Sequence, residues 1–322
     1  MRNTPLVVGL DLGGTKIAAG VVASTGKLLS SIRLKTPASG VKRDVAALYD
    51  AARAAAAAAQ VPWREIRAVG VGVPGAFDPE TETVWAPNLP GWKRVPLGKM
   101  LGRALRRLVF VEGDRNVQAL AEAWLGAGRG RARNLVFLTL GTGIGAGLIL
   151  DGRLVPGTRG VAGAAGWMAI EGKWRPVYAR IGCLEARGAG PAVARLAQKA
   201  VRSSSRSLMR KLAENRKITA HVVAEAARRG DRTARRVLDE VGTNLGRGVA
   251  SIISLLNPEL VVVGGGLAGA GELILTPLRR AARQWGQPLA SRQARIVRSR
   301  VGDHAGVLGA ARYAFIKLEG KA

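Results

Sequence analysis

Leu6-Val7-Val8-Gly9-Leu10-Asp11-Leu12-Gly13-Gly14-Thr15-Lys16 opens the chain, and Ile17-Ala18-Ala19-Gly20-Val21-Val22-Ala23 follows it directly. The first apolar run reads as a buried strand that carries one carboxylate, Asp11, to its end. Two glycines then turn the chain, and they let backbone N–H groups come close to an anion. Successive N–H groups in such a turn form an anion-binding concavity. Lys16 adds charge and Thr15 a hydroxyl, while Asp11 can hold a hydrated metal ion. The residues after Lys16 are strand-like, not helical. The segment is therefore a phosphate-gripping hairpin, neither a Walker loop nor a dinucleotide fingerprint, both of which need a helix next.

A second hairpin of this kind lies far downstream. Asn134 to Leu140 reads as a strand, Gly141-Thr142-Gly143-Ile144-Gly145-Ala146-Gly147 as a glycine turn, and Leu148-Ile149-Leu150 as the start of the return strand. Asp151-Gly152 is a hairpin turn signal leading to Arg153-Leu154-Val155. Glycines in one hairpin alone need mean no more than a tight turn. A pair points to phosphate binding by two related half-structures facing one another across a cleft.

Composition narrows the class. The chain has 322 residues, enough for two lobes and a large core, and 48% of them are hydrophobic. No apolar run approaches the ~20 residues that span a bilayer, and with a core strand beginning at Leu6 no cleavable signal is expected. A lone cysteine, Cys183, excludes an internal disulfide and suits a reducing cytoplasm. Two histidines, His221 and His304, leave little for a Cys/His zinc site.

The charge is +28, from 50 Lys+Arg against 22 Asp+Glu. Residues 201–236 concentrate Arg202, Arg206, Arg210, Lys211, Arg216, Lys217, Arg228, Arg229, Arg232, Arg235 and Arg236 against Glu214, Glu225 and Asp231. Such a field steers anions and could hold nucleic acid or polyphosphate. No nucleic-acid motif accompanies it. An Arg- and Ala-rich composition spread over solvated helix faces is the favoured explanation.

The chain resembles the ROK family (repressor, open reading frame, kinase), the bacterial sugar-kinase branch of the actin-like phosphotransferases. The resemblance runs through Asp11 to Lys16, Gly75 with Pro87-Asn88-Leu89-Pro90-Gly91-Trp92, and Gly113-Asp114-Arg115-Asn116. It continues through Leu140 to Gly147, Gly160-Val161-Ala162-Gly163, Gly182-Cys183-Leu184-Glu185, Gly264-Gly265-Gly266 and Ala305 to Ala311. The implied fold is α/β, an actin-like ATPase (ribonuclease H-like) fold with two lobes around a central cleft. The lobes are drawn at 1–114, joined by the C-terminal helix of 305–322, and at 115–304. Pro87 to Pro96 is taken as a loop between them. The family's repressors carry a helix-turn-helix ahead of the first phosphate motif, and ten residues precede Asp11 here, so that module is expected to be missing.

The implied activity is ATP-dependent phosphorylation of a hexose or hexose-like hydroxyl. Asp114 is the expected general base, and N-capping of the following helix is its structural alternative. Asp11 is expected to order Mg²⁺ through water. Gly13, Gly14, Thr15 and Lys16 would hold the terminal phosphates, together with Gly141, Thr142, Gly143 and Gly145. Gly264, Gly265 and Gly266 would lie against adenosine, although three glycines after a strand also make an ordinary turn. Gly75, Asn88, Asp114, Trp167 and Glu185 form the expected sugar side. A homodimer, a cytoplasmic location and no membrane contact complete the expectation.

The chain departs from the family on the acceptor side. The Asn before the base is Gly113, the Glu of the GxxGxAGExGH segment is Ala164, and its zinc-binding His is Trp167. The CxCGxxGCxE motif reads Pro176 to Glu185 and keeps one cysteine of three, so no zinc site is expected. Trp167 either stacks on a sugar face or fills the volume of the lost zinc loop. Specificity is therefore expected to have shifted from glucose. The rival readings are a catalytically weak sugar- or nucleotide-binding regulator and a kinase that uses polyphosphate.

Overall fold

The opening hairpin forms as read, with β1 (Leu6–Leu12) and β2 (Lys16–Ala23) pairing antiparallel around the 13–15 turn. The structure is a computed structural model and describes residues 4–130, 132–203, 207–214 and 216–320, so Arg206 of the basic cluster lies outside the described residues. Next come β3 (Ile32–Lys35), α1 (Val41–Ala58), β4 (Ile66–Val73) and a short hairpin of β5 (Ala76–Asp78) and β6 (Thr83–Trp85). α2 (Leu97–Leu105), β7 (Leu108–Gly113) and α3 (Asp114–Trp124) lead to the second glycine hairpin, β8 (Leu135–Leu140) and β9 (Ile144–Leu150), with β10 (Arg153–Leu154). The helical stretch comprises α4 (Tyr178–Ile181), α5 (Cys183–Gly188), α6 (Gly190–Arg202), α7 (Leu208–Ala213), α8 (Ala220–Arg228) and α9 (Arg232–Leu256). β11 (Leu260–Gly264), α10 (Glu272–Trp285), α11 (Pro288–Gln293), β12 (Arg295–Arg298) and α12 (Ala305–Leu318) complete the chain.

Two five-stranded sheets result, ordered β3-β2-β1-β4-β7 and β10-β9-β8-β11-β12. In the first, β1, β4 and β7 run parallel and β2 and β3 antiparallel to them. Continuous apolar runs such as Leu6 to Leu10 suit strands covered on both faces. The chain divides into two compact units, one of 1–137, 147–162 and 300–322, the other of 138–146 and 163–299. The boundary drawn at 114 falls ahead of α3, which belongs to the first unit. The 87–96 segment is not a connector between lobes: it lies wholly within the first unit, where Trp92 is buried and its indole N–H donates to Asp44 Oδ2 at 2.9 Å.

In the first unit, one face of the sheet is built to receive backbone. Gly20, Gly9 and Gly70 stand opposite one another on β2, β1 and β4. α12 lies directly on them: a Cβ at Gly9 would stand 2.0 Å from the Val307 carbonyl oxygen, and one at Gly70 1.8 Å from that of Ala310. Around this seam Val7, Ala18, Val22 and Ala68 pack against Val307, Leu308, Ala311, Ala314 and Phe315. On the other face α1 and α2 cover Leu10, Ile17, Val69 and Val71.

The second unit is organised on α9, whose N-cap Asp231 is buried and accepts from the N–H groups of Thr233 and Ala234 and from the Ser207 hydroxyl. A cap that satisfies two orphan helix donors and one hydroxyl at once stabilises this corner by about 1 kcal/mol or more. Among the described residues no helix is long and apolar enough to cross a membrane.

Candidate active site

The first unit carries a pair of carboxylates. Asp11 sits on β1, one residue short of the phosphate turn, and Asp114 opens α3 directly after β7. Burial raises the Asp11 pKa to about 6; the charge of Asp114 adds to the shift and Lys16 opposes it. The Asp114 carboxyl is also pushed up by burial, and the N–H of Arg115, 2.7 Å from its Oδ1, partly offsets this. Asp114 is not the N-cap of α3. That position is Gly113, which makes no side-chain cap, and the Asp114 carboxylate accepts from the N–H of Arg115 and from its own N–H in the first turn. The capping alternative is therefore not what this corner shows.

The Asp114 seat is built by Glu112, a buried residue that the sequence reading passed over. Glu112 Oε1 accepts from Gly113 N at 2.7 Å and from Asn116 Nδ2 at 3.0 Å, which fixes the β7–α3 corner. Burial raises the Glu112 pKa while these bonds lower it. α12 forms the wall beside Asp11, and a Cβ at Gly306 would lie 2.2 Å from Asp11 Oδ2. Thr36, also missed in the sequence, braces the phosphate turn: its hydroxyl donates to the Gly13 carbonyl at 2.7 Å and its N–H to that of Thr15 at 3.0 Å.

The glycines of the phosphate hairpins separate into two kinds. Gly13 would meet the Lys16 carbonyl at 3.0 Å, Gly143 would meet Glu185 Oε2 at 2.8 Å, and Gly265 has φ +83 with the Leu140 carbonyl 2.4 Å from its Cβ position. The fold itself requires these three. Gly14, Gly141 and Gly266 have ordinary φ values and nothing within 4 Å of a Cβ. Neither backbone angle nor neighbour requires glycine at these three. Gly75, by contrast, is demanded by its turn, with φ +110 and the Trp85 carbonyl 2.1 Å from its Cβ position.

In the second unit Gly141, Thr142 and Gly266 line one cavity of 930 Å³, walled by Pro191, Ile218 and Leu267 and edged by Lys217, His221 and Arg228. Its size suits a small-molecule or cofactor site. The basic cluster thus delivers part of its charge to this rim. Gly145 lies within β9 and Gly264 ends β11. Glu185, on α5, is tied to the same hairpin: its Oε2 accepts from Ile144 N at 2.7 Å, and burial raises its pKa. In the first unit Asn88 is exposed on a loop closed by the Ala86 N–H to Trp92 carbonyl bond. Trp167 is 57% exposed, so it does not fill the volume of a lost loop.

The segment that resembles a zinc loop is pinned by another device. Glu171 Oε1 accepts from the Tyr178 hydroxyl and from Arg175 Nε, and Arg187 lies 3.3 Å from Glu171 Oε2 and 3.7 Å from Glu240 on α9. The Tyr178 hydrogen bond holds the Glu171 carboxyl below its usual range, and burial with Glu171 pushes the phenol up to about 12. Pro176 and Tyr178 stand at two of the cysteine positions, and counted from Gly160 the segment's Glu position falls on Trp167 and its His position on Ile170, not on Ala164 and Trp167 as first aligned, so a lone buried Cys183 remains. This donor set does not fit zinc. Tyr178→Phe should remove a charge-assisted hydrogen bond worth ~1–2 kcal/mol and lower the melting temperature. A melt that leaves Tyr178→Phe unchanged would dismiss the pin.

A phosphate hairpin in each unit, on sheets of matching topology and with a carboxylate pair beside the first, defines an actin-like phosphotransferase. The chain belongs to the ROK family, whose pattern matches residues 7–316. It is 37% identical over 310 residues to the glucokinase of Thermotoga maritima, covering 95% of this chain and 96% of that one. Among solved structures it resembles the ROK hexokinase of Thermus thermophilus, with a TM-score of 0.79, 36% identity and coverage of 98% and 99%. It also resembles a ROK glucokinase of Streptomyces griseus in complex with glucose and AMPPNP, with a TM-score of 0.77, 33% identity and coverage of 95% and 98%.

Proposed function

We propose that the protein is an ATP-dependent kinase that phosphorylates a hydroxyl of a hexose or hexose-like sugar, with Asp114 as general base. The observation that carries the base assignment is Asp114 itself: a carboxyl at a strand-to-helix corner, raised in pKa, free of capping duty and in electrostatic reach of Asp11. The attacking hydroxyl gives its proton to Asp114 as its oxygen bonds to the γ-phosphorus. The bond from that phosphorus to the β–γ bridging oxygen breaks, and ADP leaves. Asp114 then returns the proton to solvent. Mg²⁺, when bound, neutralises phosphate charge. Two buried carboxylates, one of whose charge raises the other's pKa, favour a nearby cation, and Asp11 would hold it through water.

Thr15, Lys16 and the backbone of Gly13 and Gly14 take phosphate oxygens, as do Gly141, Thr142, Gly143 and Gly145. The 930 Å³ cavity beside Gly266, largely apolar on its walls, supports a nucleoside as donor over polyphosphate. Asn88 and Glu185 supply sugar hydrogen bonds, and the exposed Trp167 supplies a ring face. Zinc plays no part, on the donor chemistry of 160–185. The exposed Leu255, Trp285 and Leu289 of the second unit support a homodimer, and the unpaired Cys183 supports work in a reducing cytoplasm.

A coupled ADP-release assay with Mg·ATP over a panel of hexoses and amino sugars tests the reading. Turnover with one of them is expected. Nucleotide binding without any turnover would transfer the assignment to a regulator. The ligand-facing glycines give a second test. Gly14→Ala, Gly141→Ala and Gly266→Ala should melt within about 2 °C of the parent, because the methyl meets nothing, yet raise KM for ATP by roughly tenfold or more. Unchanged KM in all three would remove these glycines from the donor site.

A further inference from the structure

We propose that a cavity along the free edge of β7 binds a small organic anion with an apolar body, an aryl or medium-chain acyl carboxylate, as an effector of the Asp114 corner. Binding rests on residues outside the candidate active site, and only the effect on turnover draws on the kinase reading above. The cavity measures 580 Å³ and lies between the β5–β6 hairpin, α2, β7 and the end of α12. That volume suits a small molecule.

Its shape follows from the sheet. β7 is the last strand in the order β3-β2-β1-β4-β7 and pairs on one side only, with β4. Leu108, Val109, Phe110 and Val111 all line the cavity, although successive strand residues point to opposite faces. Val109 packs with the core under α1 and α2, and Phe110 with the core under α12. The cavity therefore wraps the edge itself, where backbone N–H groups have no neighbouring strand to take them. Phe77 and the 59% exposed Leu108 extend its apolar floor.

Around this floor the charge has one dominant sign. Lys99, Arg103, Arg107 and Lys317 line the cavity against a single carboxylate, Glu82, which Lys99 already engages at 2.8 Å. The carbonyls of Ile66, Trp63 and Arg106 fix the Arg107 guanidinium in place without neutralising it. Arg103 has no hydrogen-bond or ion-pair partner among the described residues. A sugar would leave its hydroxyls unmatched on the apolar floor, and inorganic phosphate would leave that floor wet. A carboxylate on an apolar body answers both the cations and the floor.

The α12 wall leads to the base. The Tyr313 hydroxyl hydrogen-bonds the Glu112 carboxyl, and the Lys317 ammonium, 5.4 Å from the centre of the Tyr313 ring, acts on the same carboxyl's charge. Glu112 in turn holds Gly113 N and Asn116, the corner that carries Asp114. An anion paired with Lys317 competes with Glu112 for that cation, so its binding biases the seat of the base.

Calorimetric titration with decanoate and with naphthoate tests the site, with decanol and inorganic phosphate as controls. At least one carboxylate should bind, one per chain and about tenfold or more tighter than decanol, and phosphate should not displace it. The tighter of the two tells an acyl from an aryl body. Arg103→Glu and Leu108→Asp, both at exposed positions, should each weaken binding about tenfold and melt close to the parent. The bound carboxylate should change kcat with the best sugar by roughly twofold or more, and Tyr313→Phe should cancel that change while binding persists. If no sugar is phosphorylated but the binding and its loss in the variants hold, the site stands and the kinase reading falls. Binding of neither carboxylate, equal binding of decanol, displacement by phosphate, or binding unmoved in both variants would each overturn the site. Binding with kcat unchanged would overturn its role as an effector.

Discussion

Asp114→Asn is expected to lower kcat with the best sugar by roughly 10²–10⁴-fold while leaving KM for ATP within about twofold. The amide keeps the size of the carboxyl and the acceptor oxygen facing Arg115 N, so the corner built by Glu112, Gly113 and Asn116 stays in place. Only the capacity to take a proton is lost. A loss confined to kcat identifies proton transfer; a rise in KM for the sugar with little change in kcat would make Asp114 a binding residue instead. Undiminished kcat would remove it from the chemistry altogether.

The same carboxyls set a pH signature. The base works only when ionised, and burial raises the pKa of both Asp114 and Asp11, the latter to about 6. Activity should therefore begin to fall at a pH above the ordinary carboxyl range as Asp114 takes up its proton, with Asp11 following near 6, and Asp114→Asn should remove the part of that acid limb set by the base. Stability runs the opposite way. A carboxyl whose folded pKa exceeds its unfolded value favours folding when protonated, and that contribution is lost as pH rises through the folded pKa. For Asp11 a shift of about two units amounts to ~3 kcal/mol of cost at neutral pH. Asp11→Asn and Asp114→Asn should thus melt higher than the parent at pH 7.5 and draw level with it near pH 4. The site carries this cost for function, and a cation bound there would return part of it.

Much of this was legible before any coordinates. β1, β2 and β8 announced themselves because buried strands must be apolar throughout, and the glycine turns after β1 and β8 had no helix-compatible continuation. What the sequence could not disclose was which glycines the fold requires and which stand in open space. Gly13 and Gly14 are neighbours in the chain, yet one is confined by the Lys16 carbonyl and the other faces open space. The β5–β6 hairpin is too short to show a strand period, with three residues on each side. Trp92 reads as a loop aromatic until α1 brings Asp44 to its indole. Glu112 and Thr36 act on backbone groups, and no local pattern reports a side chain that serves another segment's carbonyl or N–H.

Gly70→Ala should cost about 3 kcal/mol or more, the upper end of overpacking, although a single methyl is added at a strand position where alanine is otherwise tolerated. The new Cβ would lie 1.8 Å from the Ala310 carbonyl oxygen and 2.5 Å from its carbon. A carbon and a carbonyl oxygen in contact need about 3.3 Å, so α12 must retreat by more than an ångström. Both partners are backbone, and no rotamer change relieves the clash. Retreat would open the seam between Val7, Val22 and Ala68 and Val307, Ala311 and Phe315. It would also draw Gly306 away from Asp11, so the residual activity should fall with the stability. Gly309→Ala meets the Val117 carbonyl at 1.7 Å and should behave alike, while Gly172→Ala, with nothing within 4 Å, serves as control. For ~3 kcal/mol the melting temperature should drop by roughly 6–12 °C, or the protein should fail to fold. A Gly70→Ala variant that melts with the parent would mean that α12 does not rest on β1 and β4 as described, and the wall assigned to Asp11 would go with it.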